Sequence, residues 1–198
     1  ISENISKVLY PNDNIHLGKV LRLQQEYFFV IATLQDIFAL WKQDHDNFTD
    51  LPDKIAIQLN DTHPALVIPE MMRILIDEEQ LDFETAWDIT RQCCSYTNHT
   101  ILPEALEKWS VKLFEELLPR HLMLIYQINE HIMNQVNQFY PGNIDKMRNL
   151  SVIEEGPEKK IRMAQLCLHG THTVNGVAEL HTRILKERIF PDFYEMYP

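Results

Sequence analysis

The residues best suited to chemistry stand in two short polar runs. In the first, Asn60-Asp61-Thr62-His63-Pro64 sets a carboxylate, a hydroxyl and an imidazole directly behind the apolar run Ile55-Ala56-Ile57-Gln58-Leu59. A carboxylate accepts hydrogen bonds and a neutral imidazole both donates and accepts, so Asp61 and His63 suit a hydroxyl-rich ligand. Asp61 or Thr62 equally suits the N-cap of a following helix, with His63 a structural neighbour. The second run, Tyr96-Thr97-Asn98-His99-Thr100, follows another stretch with strand character. Its Asn and Thr side chains are also those that stabilise loops. If the two strands are neighbours, both loops open on one cleft.

Other groupings are weaker. His169, His172 and His181 are separated by two and then eight residues, which matches no zinc spacing, so no metal centre is expected. Glu104 and Glu107 share a helical face, as many solvated pairs do, whereas a glycosidase needs carboxylates across a cleft. With only five glycines the chain has no G-x-G-x-x-G and no G-x-x-x-x-G-K-[ST], so neither common mononucleotide loop is present. Adjacent Cys93 and Cys94 read as small buried residues, and with Cys167 they give an odd count unlike a secreted disulfide framework. Five N-x-[ST] sequons begin at Asn4, Asn47, Asn60, Asn98 and Asn149, and they read as cap and turn chemistry. The expected compartment is the cytoplasm, with reduced thiols.

The elements that must position these residues follow from periodicity. After a turn-rich loop at Tyr10-Pro11-Asn12-Asp13-Asn14, Leu23, Tyr27, Ile31, Leu34, Ile37, Phe38 and Trp41 predict a helix over 19–41. A connector over 43–53 leads to a buried strand at 55–59, and helical spacing resumes over 65–77, with Pro69 near the start. Further helices are expected at 83–93 and 120–139, the latter carrying the stripe Ile125, Ile128, Ile132, Val136 and Phe139. Residues 95–102 predict a strand or extended loop, and 103–107 a helical turn. A short helix over 144–149, a strand over 151–154 and helices over 160–168 and 177–189 complete the chain. The fold class is α/β: predominantly helical with a few strands, the passage 55–77 being one half of a doubly wound unit.

Composition sets the outer limits. The chain has 198 residues and 23.4 kDa, with 45% hydrophobic and 24% charged residues, which describes a globular domain with an adequate core. Eighteen basic residues against 29 acidic ones give a net charge of −11, which argues against nucleic-acid or anionic-membrane binding. No apolar run approaches the roughly 20 residues of a membrane span. The chain begins at Ile1 without methionine, which leads to the expectation of a processed or excised segment.

Taken together, the motifs resemble the α-glucan phosphorylases, the family of glycogen, starch and maltodextrin phosphorylase. They are Glu3-Asn4-Ile5-Ser6-Lys7-Val8-Leu9-Tyr10-Pro11, Leu21-Arg22-Leu23-Gln24-Gln25-Glu26-Tyr27-Phe28, Thr33-Leu34-Gln35-Asp36 and Gln58-Leu59-Asn60-Asp61-Thr62-His63-Pro64-Ala65. Tyr96-Thr97-Asn98-His99-Thr100, Leu102-Pro103-Glu104-Ala105-Leu106-Glu107, Leu118-Pro119-Arg120-His121-Leu122 and Val174-Asn175-Gly176-Val177-Ala178 follow in family order.

The resemblance implies residues 1–198 to be a single partial domain, an interior piece of a Rossmann-like, GT-B type amino-terminal domain. The parent would use inorganic phosphate to cleave terminal α-1,4 bonds of a glucan, giving glucose 1-phosphate. Pyridoxal 5′-phosphate would be its cofactor, with the attachment lysine outside these residues, and the parent would be a homodimer. Asp61 and His63 match the family's N-D-T-H-P loop at the sugar site. His99 matches the histidine whose main chain contacts the glucosyl 6-hydroxyl region. Asp13 and Asn14 match the gate loop over the cleft, with Asn14 reaching the sugar, and Val177 and Ala178 match packing beside it, or serve core packing alone.

The family's surface glycogen-storage region corresponds to the helix from Arg120 and to Glu154-Glu155. Two departures bear on regulation. Ile15-His16 replaces an aromatic pair of the animal enzymes' purine site, and Ala39-Leu40 replaces an arginine pair for a nucleotide phosphate. An allosteric AMP switch is therefore not expected. The alternatives are a non-catalytic carbohydrate-binding module and a helical assembly module.

Overall fold

Leu23, Val30, Leu34, Phe38 and Trp41 recur at helical spacing and are buried together on one face of a single helix, His16–Asp44. The computed structural model describes residues 2–9 and 11–198. These fall into two compact units, Ile1–Phe48 and Thr49–Pro198.

In the first unit, α1 (Ser2–Lys7) lies against α2 (His16–Asp44). Gln25 Nε2 donates to the carbonyls of Ile5 at 2.8 Å and Val8 at 2.6 Å, filling acceptors that a helix end leaves open. Helix α2 starts three residues before the expected Lys19, because Ile15 is extended and its carbonyl already accepts from Lys19 N at 3.1 Å. It ends where Trp41 Nε1 reaches over to the Asn47 carbonyl at 2.8 Å and the Trp41 ring stacks on His45. Of the expected turn at 10–14, Tyr10 lies outside the described residues.

The segment Asn12–Asn14 lies directly on α2 at Gly18, where an added Cβ would sit 1.7 Å from the Asn12 carbonyl oxygen. Backbone cannot yield as a flexible side chain does. Gly18→Ala is therefore expected to displace Asp13 and Asn14 and break the 2.8 Å ion pair between Asp13 and Arg22. Faster amide exchange confined to residues 11–18 is the measurement; unchanged exchange there counts against the close approach.

The second unit is built around a parallel sheet of β1 (Ile57–Asn60), β2 (Cys94–Asn98) and β6 (Thr173–Gly176), in the order β1-β2-β6. The crossover from β1 to β2 runs through α3 (Val67–Arg73) and α4 (Phe83–Cys93). Asp82 caps α4 by accepting from Thr85 N at 3.0 Å and Thr85 Oγ1 at 2.7 Å. Between β2 and β6 the chain forms β3 (Lys108–Ser110), α5 (Val111–Leu117), α6 (Pro119–Phe139), α7 (Ile144–Leu150), β4 (Ile153–Glu154), β5 (Lys160–Arg162) and α8 (Met163–His169). Strands β3, β5 and β4 make a small antiparallel sheet in that order. After β6 come α9 (Glu179–Ile184) and α10 (Pro191–Met196).

The α/β class holds, and several boundaries shift. The first strand begins at Ile57 and not at Ile55, because pairing with β2 starts at Ile57↔Cys94. Residues 160–162 are a strand paired to β3 and β4, so the expected helix over 160–168 starts only at Met163. The helices after β1 and β6 each end in a turn of π-helix, Ile74–Glu78 and Leu185–Ile189, with bonds such as Glu79 N to Ile74 O at 3.0 Å. On α6, Ile125, Ile128, Ile132 and Val136 are buried, but Phe139 is exposed, since the helix stops there before Pro141-Gly142.

Candidate functional site

Parallel strands deliver their carboxyl ends to one edge, and here three adjacent strands do so. Asn60 lies opposite Thr97, and Asn98 lies opposite Gly176. The loops that begin at Asp61, His99 and Val177 therefore start side by side, at strand spacings of about 4.8 Å. In open α/β sheets this edge is where ligands bind.

Asp61 makes the first turn. Its φ of 65° puts it in the left-handed region, which Asp tolerates better than most residues. Its backbone N donates to the Thr97 carbonyl at 2.9 Å, prolonging the β1–β2 ladder by one bond, and its Oδ1 accepts from Thr62 N at 2.7 Å. The carboxylate is thus fixed by its own neighbour, with Oδ2 on the other side. Neither Asp61 nor Thr62 caps α3, whose N-cap is Leu66 without a side-chain bond. His63 is exposed on this loop, and Thr62 is buried beneath it.

The second loop is shaped by Asn98, which is buried. Its Nδ2 donates to Tyr96 Oη at 2.9 Å while its Oδ1 accepts from Thr100 N at 3.0 Å. That brace turns His99 outward, and His99 is exposed. In the third loop, Gly176 N donates to Thr182 Oγ1 at 3.0 Å and Val177 N to His181 Nδ1 at 3.2 Å. An added Cβ at Gly176 would meet Thr182 N at 2.9 Å, so glycine permits α9 to close on the strand end. Val177 and Ala178 are exposed, which leaves no core-packing role for them in this unit.

One face of the sheet carries a polar chain. Ser95 Oγ donates to Gln58 Oε1 at 2.6 Å, Gln58 Nε2 to Thr97 Oγ1 at 2.9 Å, and Thr97 Oγ1 to Asn175 Oδ1 at 2.9 Å. These bonds lock all three strands in register immediately beneath the loops. The opposite face buries Leu59, Cys94, Tyr96 and Asn98. Cys93, Cys94 and Cys167 are free and buried, and burial pushes the Cys93 thiol up to about 12.

A further constellation anchors the helix behind Asp61. Glu70 on α3 is fully buried, bonded by Arg73 Nε at 3.0 Å and Nη2 at 2.8 Å, and by His121 Nε2 of α6 at 2.5 Å. Burial alone would raise the Glu70 carboxyl, but the bonds from His121 and Arg73 hold it below its ordinary value. Its sequence signal was a lone carboxylate inside the apolar run Ala65–Met72.

Asp13 and Asn14 belong to the first unit, and their geometry is local to it. Asp13 pairs with Arg22, and Asn14 N donates to Asn12 Oδ1 at 3.0 Å. In the second unit, Arg120 is committed to Asp77 at 2.6 Å and Glu154 to Lys108 at 2.5 Å. Among the described residues no group of three or more His, Cys, Asp or Glu could hold a metal ion, and no helix is long and apolar enough to cross a membrane.

Residues 1–198 match the carbohydrate phosphorylase family along their whole length. The chain is 57% identical over 206 residues to the muscle form of glycogen phosphorylase from Homo sapiens and to that from Ovis aries. It is 56% identical to the brain form from Bos taurus. Each match covers 100% of this chain and 24% of the relative, so the chain spans about a quarter of the length of these curated relatives. With the family's N-D-T-H-P and T-N-H-T motifs on adjacent loops of one parallel sheet, the chain belongs to the carbohydrate phosphorylase family.

Proposed function

We propose that this chain supplies the sugar-facing wall of an α-glucan phosphorylase, a glycosyltransferase that uses inorganic phosphate to release glucose 1-phosphate from terminal α-1,4 bonds. The observation that carries this reading is the side-by-side placement of the Asp61–His63, His99 and Val177 loops on the sheet edge. Asp61 Oδ2 accepts from a sugar hydroxyl while Oδ1 stays locked to Thr62 N. His63 offers a second polar contact from the same loop, and the braced main chain at His99 offers a third. Asp13 and Asn14 supply the gate loop of the same enzyme.

Such an enzyme would carry pyridoxal 5′-phosphate, which would supply proton-transfer chemistry through its phosphate group. Residues 61–66, 99–107 and 177–178 include no lysine, so these loops offer no side-chain amine for the cofactor aldehyde. The parent enzyme acts as a homodimer in the cytoplasm.

The test follows from that division of labour. The purified 198-residue chain is expected to release no glucose 1-phosphate from maltoheptaose and phosphate and to show no cofactor absorbance. The full-length protein is expected to do both. Turnover by the chain alone, or none by the cofactor-loaded full-length protein, overturns the reading.

A further inference from the structure

The loop that leaves β6 turns at once into α9, and strand-to-helix turns of this kind commonly meet anions through consecutive backbone N–H groups. Here two such groups are already engaged. Gly176 N donates to Thr182 Oγ1 at 3.0 Å, and Val177 N donates to His181 Nδ1 at 3.2 Å. Both acceptors stand in the first turns of α9, whose N-cap, Ala178, makes no side-chain bond. His181 and Thr182 therefore reach back past the N-cap to the strand end, much as the third helical residue of a capping box does. The Gly176 carbonyl is filled as well, by Asn175 Nδ2 at 2.9 Å.

The two side chains sit against the strand backbone itself. An added Cβ at Gly176 would lie 3.0 Å from His181 Cγ and 3.1 Å from Thr182 Oγ1. His181 is 8% exposed. Because its Nδ1 accepts from Val177, the ring hydrogen is on Nε2. Nε2 is buried and has no hydrogen-bond partner among the described residues. Packing alone does not call for such a group, since a buried N–H without a partner is destabilising. The bond to Val177 gives the imidazole a role that a leucine of similar size cannot fill.

With the N–H groups of Gly176 and Val177 tied to α9, what remains to meet a ligand is the exposed pair Val177 and Ala178. Both are apolar. Gly176 lies opposite Asn98, so the pair stands beside the His99 loop. Such a surface packs on the C–H face of a neutral sugar, and neither bonded N–H is left for a phosphate.

We propose that His181 and Thr182 are positioning residues for the sugar-facing edge. By holding the Val177 and Gly176 N–H groups, they fix Val177 and Ala178 for apolar contact with a glucosyl residue and withhold those N–H groups from phosphate. The inference rests on the sugar-facing reading and names the side chains that shape its third loop.

Steady-state kinetics and amide exchange on the cofactor-loaded full-length protein test it. His181→Leu removes the acceptor at similar size, whereas His181→Asn keeps one, its Oδ1 standing as many bonds from the backbone as Nδ1 does. His181→Leu is expected to raise KM for maltoheptaose roughly 2–10-fold, the effect of losing one neutral hydrogen bond. Its kcat and its KM for phosphate should stay unchanged, and its Val177 amide should exchange faster. His181→Asn is expected to restore both the KM and the slow exchange. General loosening of the fold would move kcat and both KM values together, so the split separates positioning from bulk stability. Should His181→Leu fail to fold, Thr182→Val against Thr182→Ser puts the same question to the Gly176 amide. An unchanged KM for maltoheptaose in the variants that lack the acceptor overturns the proposal. So does an equal rise in KM for phosphate, or a His181→Asn enzyme no better than His181→Leu. No phosphorolysis by the unaltered protein overturns the sugar-facing reading and this proposal with it, whereas an active parent with indifferent variants overturns this proposal alone.

Discussion

Glu70→Gln is expected to lower the unfolding free energy of the second unit by about 3–5 kcal/mol, the usual result of removing one partner from a buried ion pair. The carboxylate is fully buried, while Arg73 and His121 retain only 19% and 5% of their side-chain exposure. Glutamine keeps the volume and can still accept from one of them, so the loss comes from charge and not from a cavity. Arg73 keeps its 2.8 Å bond to Glu78, whose side chain is 39% exposed and solvent-screened, so that partner offsets little. Asp145→Asn is the control. Its 3.0 Å pair with Arg148 is 83% and 71% exposed, and no measurable change is expected. Urea unfolding at neutral pH measures both, and a Glu70→Gln loss below about 1 kcal/mol would mean that the pair is solvated like a surface one.

The acid dependence has a definite sign. The Glu70 carboxyl titrates below its ordinary 4.5 in the folded chain. Its contribution to stability is therefore complete above that value and is lost as pH falls through the lower folded one. The difference between parent and Glu70→Gln should shrink on acidification below 4.5 and stay constant above it. A gap that widens in acid contradicts the assignment.

How far the residues announced this structure depends on whether the relevant force was local. Helix 83–93 has its sequence-predicted bounds because Asp82 caps it by bonds to Thr85, a contact three residues long. The strand order β1-β2-β6 is different. It depends on contacts such as Thr97 with Asn175, 78 positions apart, which no local pattern encodes. Strand β6 went unpredicted because Thr173, Val174 and Asn175 are not buried and carry no apolar run. Residues 160–162 carry no strand pattern of their own, because their pairing comes from β3 and β4. The site motifs themselves were legible, but the capping alternative for Asp61 was decided by its backbone. A left-handed Asp61 bonds Thr62 N and sits too early to cap a helix that begins at Val67. Glu70 was legible only as an anomaly, and His121, its partner 51 positions on, gave no sign of the pairing.

Asp61→Asn in the full-length phosphorylase is expected to lower kcat/KM for phosphorolysis of maltoheptaose roughly 10–150-fold, the range for losing a charged hydrogen-bond acceptor to substrate. Asparagine is the informative replacement. It tolerates the left-handed backbone at φ 65°, and its carbonyl oxygen can still accept from Thr62 N. The loop should therefore keep its shape, and only the charge of the side chain changes. Asp61→Ala removes the Thr62 lock as well, and a β-carbon without a polar group gains nothing from the left-handed region, at a cost of about 1–2 kcal/mol. Its activity should fall further, and its loop should exchange amide hydrogens faster, whereas Asp61→Asn should not. That split separates an electrostatic role from a merely conformational one. An Asp61→Asn enzyme within about threefold of the parent, beside a crippled Asp61→Ala, would assign the residue to loop shape and leave the sugar contact to His63 and the His99 main chain.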